Sequence, residues 1–81
     1  MYKLEIYPDK AGHVQRNNKT KELEFTRLSK LKVWIKDKCD LRHNVLTKAE
    51  YLANEIEDLT KKGETEFKLS ISAIVIVTNK N

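Results

Sequence analysis

FTRLSKLKVWIKDKCDLR, residues 25–42, is where the hydrophobic period of the chain changes from two to 3.6. The fold class follows from that change. Leu28, Leu31, Trp34 and Ile35 recur at helical spacing, which predicts a helix beginning near Thr26 or Ser29 and ending near Cys39. Either hydroxyl residue suits an N-cap, and a start at Ser29 would let Leu28 and Val33 form a hydrophobic staple. Just upstream, Lys21–Phe25 alternates and puts Leu23 and Phe25 on a core face. Tyr2–Tyr7 alternates too, with Tyr2, Leu4 and Ile6 together. Between these strands, Pro8-Asp9-Lys10-Ala11-Gly12 is turn chemistry. Residues 13–20 read either as a segment pairing back on the first strand, with Asn17-Asn18 a bulge or second turn, or as part of a mobile loop. Long structureless loops are uncommon in so small a domain, which favours the hairpin.

Downstream, residues 40–46 (DLRHNVL) connect to a second helix. Thr47 and Glu50 form a capping-box pattern, Ala49, Leu52, Ala53, Ile56 and Leu59 form a buried stripe, and Lys61-Lys62-Gly63 is C-terminal chemistry. The remainder, Phe67–Thr78, reads as one long strand with Phe67, Leu69, Ile71, Ala73, Val75 and Val77 on one face. Ile74 and Ile76 make its other face apolar, so either the strand is central or that face meets a partner or a second copy. The pattern predicts a single α+β domain over residues 1–81. Its sheet is mainly antiparallel and three-stranded, or four-stranded if residues 13–16 pair back. Two helices lie on one face, and the order is β-β-α-α-β.

Length bounds the function. A chain of 81 residues buries roughly 60% of its extended surface, which leaves little for an enclosed multi-residue active site. A binding surface is expected instead, with no enzymatic activity. Cys39 and His43 are four apart, but the helix should end between them, and zinc wants four ligands at paired short spacings, so no metal or cofactor is expected. A Cys–His nucleophile lacks an orienting group and an oxyanion site. Two isolated glycines exclude phosphate-cradling loops. Glu50, Glu55, Glu57 and Asp58 on the second helix read as a solvated face. The strand–helix–helix–strand order over residues 20–78 resembles the core of the KH domain. That family clamps nucleic acid with a Gly-x-x-Gly loop between its helices, and here the place holds Cys39–Leu46, without glycine. The order alone does not make the chain a member.

What remains is charge. Of the 16 Lys/Arg and 12 Asp/Glu residues, 12 and 6 lie in residues 1–48, a balance of +6, against −2 for the rest. That asymmetry points to a basic face for an acidic partner. Its candidate residues are Arg16 and Lys19 in the arm, Arg27, Lys30, Lys32 and Lys36 on the first helix, and Arg42 after it. Arg27, Lys30 and Lys32 sit where the helix dipole disfavours cations, a local cost that suggests a role. The expectation is a small binding protein that docks this face on a larger host protein or nucleoprotein. It would be an accessory protein or inhibitor of the kind phages and mobile elements carry, since the Lys-, Asn- and Ile-rich usage suits an AT-rich bacterial or phage genome. One alternative is direct RNA or DNA binding through the same lysines, with stacking from Tyr7 or Trp34. The other is a homodimer or partner contact through Tyr7, Ile74 and Ile76. No membrane partner is expected. A single cysteine and the absence of an apolar run after Met1-Tyr2-Lys3 fit a cytoplasmic protein.

Overall fold

The computed structural model describes residues 1–80. Its elements are β1 (Tyr2–Lys10), β2 (His13–Val14), β3 (Lys21–Phe25), α1 (Leu28–Lys38), α2 (Lys48–Lys62), β4 (Glu64–Ser70) and β5 (Ala73–Asn79). The chain is α+β, but its sheet has five strands, all pairs antiparallel, in place of the expected three or four. β1 is central. β5 pairs along one edge of it, and β3 and the short β2 share the other, with β4 outside β5.

Residues 8–19 form the hairpin rather than a mobile loop. Asp9 and Lys10 pair with Val14 and His13, and the turn uses Ala11 and Gly12 at positive φ of 53° and 83°. The Gln15 N–H donates to the Pro8 carbonyl at 2.9 Å, and the Thr20 N–H to the Ile6 carbonyl at 2.9 Å. Those carbonyls lie two residues apart on one edge of β1, so residues 16–19 are a blister between two successive ladder positions. The Asn18 N–H closes it on the Gln15 carbonyl at 3.0 Å.

The expected single strand over Phe67–Thr78 is a hairpin. β4 turns at Ile71-Ser72 and β5 pairs back, Phe67 opposite Val75 and Thr65 opposite Val77. Odd residues face odd residues across this turn, so the period-two pattern runs through it unbroken. That is why the pattern reads as one strand. Ile71, expected on the core face, is at the turn tip and 90% exposed. The turn carries no Gly, Pro or Asn; the Ser72 N–H donates to Ser70 Oγ at 3.2 Å, and a register shift between Lys68 and Ser70 makes the bend.

The start of α1 also differs. Its N-cap is Arg27, with no side-chain cap, so neither Thr26 nor Ser29 serves. Leu28 packs on the core as the first helical residue, which starts the helix before Ser29; Val33, the other half of the expected staple, is 64% exposed. The C-cap is Cys39, as the spacing predicts. α2 carries its capping box, the Glu50 N–H donating to Thr47 Oγ1 at 3.2 Å and the Thr47 N–H to Glu50 Oε1 at 3.1 Å. It ends on Gly63 at φ 81°.

Both helices lie on one face of the sheet. Leu31 and Ile35 of α1 and Leu52, Ile56 and Leu59 of α2 close over Leu4, Phe67, Val75 and Val77, with Trp34 packed half-buried against them. After α1 the Asp40 N–H donates to the Lys68 carbonyl at 2.8 Å, which ties the connection to the outer edge of β4 and buries Leu41. The opposite face carries a second small cluster, Tyr7, Ile74 and Ile76, with Val14 of the hairpin packed on it. β5 is therefore central in the sheet and has both faces covered.

Candidate binding cleft between the helices

Arg16 stands apart, exposed in the blister of residues 16–19, and the other six of the seven residues of the expected basic face divide into three parts in space. In the first, the charges are used internally. Lys19 Nζ lies 3.0 Å from Glu5 Oε2 and 2.6 Å from Glu22 Oε1, and Lys3 joins the same two carboxylates at 3.7 and 3.5 Å. These residues stand on the Tyr7–Ile76 side of the sheet, where their long stems border the second cluster. Burial opposes ionisation of Glu5, but the bonds from Lys19 and Tyr7 and the Lys3 charge outweigh it and lower its pKa. Burial first, then the bond to Glu5, raises that of Tyr7. Arg42 is likewise engaged: Nη2 and Nε donate to the two Asp40 carboxylate oxygens at 2.8 and 3.0 Å. That side chain, then the Arg42 backbone N–H, holds the Asp40 carboxyl well below the usual carboxylate range.

Arg27 and Lys30 make up the second part. At about 100° per residue they fall on the Trp34 border of α1, near its uncapped end. Lys32 and Lys36 are the third part. One turn apart on the opposite border, they face α2 across a cleft of about 440 Å³. Leu41 and Leu52 lie at its base, Ala49 and Ala53 form the α2 wall, and Lys48 stands at the α2 end of the rim. The cleft exists because small side chains leave the space between the helices unfilled. Ala49 and Ala53, expected in the buried stripe, are exposed there. The stripe of α2 instead turns toward β4 through half-buried Tyr51 and Glu55, and Thr65 Oγ1 donates to Glu55 Oε2.

No carboxylate lies within ion-pairing distance of Arg16, Arg27, Lys30, Lys32, Lys36 or Lys48 among the described residues. Lys48 stands in the first turn of α2, so its place beside Lys32 and Lys36 depends on how the two helices lie and is not given by spacing along either one. Setting the Lys32/Lys36 and Ala49/Ala53 i,i+4 pairs on facing helices is the pattern that points to it.

The other expected or rejected chemistry has a plain location. Tyr7, Ile74 and Ile76 are only 8%, 7% and 2% exposed, so they offer a partner little surface. Burial pushes the Cys39 thiol up to about 12. His43 Nδ1 accepts the N–H groups of Val45 and Leu46, both at 3.1 Å, and its ring lies 5.3 Å from that of Tyr51, so it organises the inter-helix connection. Among the described residues no cluster of three or more His, Cys, Asp or Glu side chains is placed to hold a metal ion, and no helix is long and apolar enough to cross a membrane. The chain has no significant match among known protein families, characterised proteins or solved structures.

Proposed function

We propose that this is a small non-enzymatic binding protein of the cytoplasm that docks its basic face on an acidic protein surface, as an accessory or inhibitory partner would. The observation that carries the reading is the convergence of Lys32, Lys36 and Lys48, without carboxylate partners among the described residues, around a cleft with an apolar base. Three cations held together repel one another, an arrangement that an anionic partner relieves. The apolar base favours a protein over bare nucleic acid, because a phosphate backbone gains nothing from Leu41 and Leu52. Nucleic-acid binding by stacking would also want an exposed aromatic; of the two candidates Tyr7 is buried and Trp34 is half-buried against the core, away from the Lys32–Lys36 border.

The test is capture from a lysate of the source cells on immobilised protein, with and without nuclease, comparing wild type with a Lys32→Glu, Lys36→Glu double variant whose fold is checked by circular dichroism. A protein retained through nuclease treatment by the wild type and lost with the variant is the expected result. Loss of every captured protein on nuclease treatment, or undiminished capture by the variant, refutes the reading.

A further inference from the structure

We infer that the cleft takes an acidic amphipathic α-helix of the partner, laid between α1 and α2 as a third helix. The inference rests on the proposed function and goes further by stating what part of the partner binds. Three features of the cleft define this occupant. Its base is apolar, so the ligand presents an apolar stripe. Its cations stand on both sides, Lys32 and Lys36 on α1 and Lys48 on α2, so the stripe is bordered by carboxylates on both flanks. Lys32 and Lys36 are one helical turn apart, a spacing matched by Glu or Asp residues at i and i+4 on the incoming helix. A helix satisfies all three together and brings its own backbone hydrogen bonds. A ligand in β conformation needs a strand edge to pair with, and the walls of this cleft are helices. Ala49 and Ala53 supply the close approach, since a methyl group at each leaves room for a ligand side chain to reach Leu52.

The experiment uses three synthetic peptides of about four helical turns on the full chain, read by fluorescence anisotropy and by amide shifts. The first carries an apolar i, i+3, i+4, i+7 stripe flanked by Glu. The second has the same composition scrambled to destroy the stripe. The third keeps the stripe with Lys in place of Glu. The first peptide alone is expected to bind, with amide shifts centred on Lys32, Lys36, Ala49 and Ala53. Ala53→Glu, which places a carboxylate against the stripe, is expected to abolish binding. Lys32→Ala and Lys36→Ala are each expected to weaken it roughly two- to fivefold, the range of an exposed ion pair.

Equal binding of the scrambled acidic peptide overturns the helix inference and leaves the basic-face reading standing. Failure of both acidic peptides, while wild type still captures a nuclease-resistant protein that the double variant loses, also overturns the helix alone. Failure of both peptides and of that capture overturns the two together. Self-association of the wild type that Ala53→Glu abolishes would make a second copy the occupant and likewise overturn it.

Discussion

Ile76→Ala separates a folding role from a partner role for the sheet face away from the helices. Ile76 is 2% exposed and packs with Tyr7, Ile74 and Val14. The substitution removes about three buried carbon groups, worth ~0.8 kcal/mol each, or ~2.4 kcal/mol before any cavity is counted. The cavity contribution should be small. Glu5 and Glu66 stand opposite Ile76 on the neighbouring strands, and their flexible stems can settle into the space, so the expected loss is about 2–3 kcal/mol. A domain of this size has a total stability on the order of 4–12 kcal/mol, so the variant should remain folded and measurable. Urea unfolding followed by the fluorescence of Trp34, the one tryptophan, gives the difference directly, with an unchanged slope expected. In thermal unfolding the midpoint should fall by roughly 10–20 °C. A loss under about 0.5 kcal/mol, the ordinary range for a surface substitution, would refute the claim that this face is a second core. So would a wild type that sediments as a dimer and an Ile76→Ala variant that sediments as a monomer.

Gly63→Ala meets no atom within 4 Å of the new Cβ, so its cost is the left-handed backbone alone, about 1–2 kcal/mol, measurable as a lowered thermal midpoint. Thr47→Ala removes the bond that Thr47 Oγ1 accepts from the Glu50 N–H, keeps the backbone bond from the Thr47 N–H to Glu50, and should cost ~1 kcal/mol by urea unfolding. Acid should destabilise the protein through Asp40 and Glu50, whose folded pKa values are lowered by the Arg42 side chain and by the Thr47 backbone N–H respectively. A depressed folded value means that the stabilisation is complete above the ordinary carboxylate range and is lost as pH falls through and below it. Asp40→Asn should therefore flatten the decline in urea midpoint between neutral and strongly acidic pH, and an unchanged profile would count against the Asp40–Arg42 pair. Cys39, with its thiol pushed up to about 12, should react with iodoacetamide at pH 8 at least roughly a hundredfold more slowly than a free thiol of pKa about 8.5.

The elements legible in the sequence are those whose signals are local. Thr47, Glu50 and Gly63 announce α2 because capping is settled within a few residues. β3 and the first six residues of β1 show in their alternation, and the end of α1 in its stripe, whereas Pro8-Asp9-Lys10, read as turn, continue β1 and leave the turn to Ala11-Gly12. The β4–β5 turn was hidden because alternation depends on which residues share a face, and an even-sum hairpin register keeps odd residues together on both sides of the bend. Its one local mark, Ser70 and Ser72 flanking Ile71, is weak turn chemistry inside an apolar run. The candidate site was half legible for a related reason. Lys32 and Lys36 could be placed on one border of α1 from spacing alone, but what faces that border depends on how α2 lies. The exposure of Ala49 and Ala53 and the contribution of Lys48 follow from that arrangement.

Charge shows the same limit most sharply, because a basic composition is not a basic surface. Lys19 and Arg42 looked equivalent to Lys32 and Lys36 in the sequence. In space Lys19 lies among Glu5, Glu22 and Lys3 beside the second hydrophobic cluster, and Arg42 is forked onto Asp40 two residues away. Those pairs help hold the arm and the connection in place, and a partner would have to break them before using the cations. Lys32, Lys36 and Lys48 carry no such prior engagement among the described residues, and they gather where the helices leave an apolar gap. A partner meeting these three displaces only water and counterions. On the proposed reading, net charge sets how readily an acidic molecule approaches, and the lysines around the cleft, without carboxylate partners among the described residues, would set where it settles.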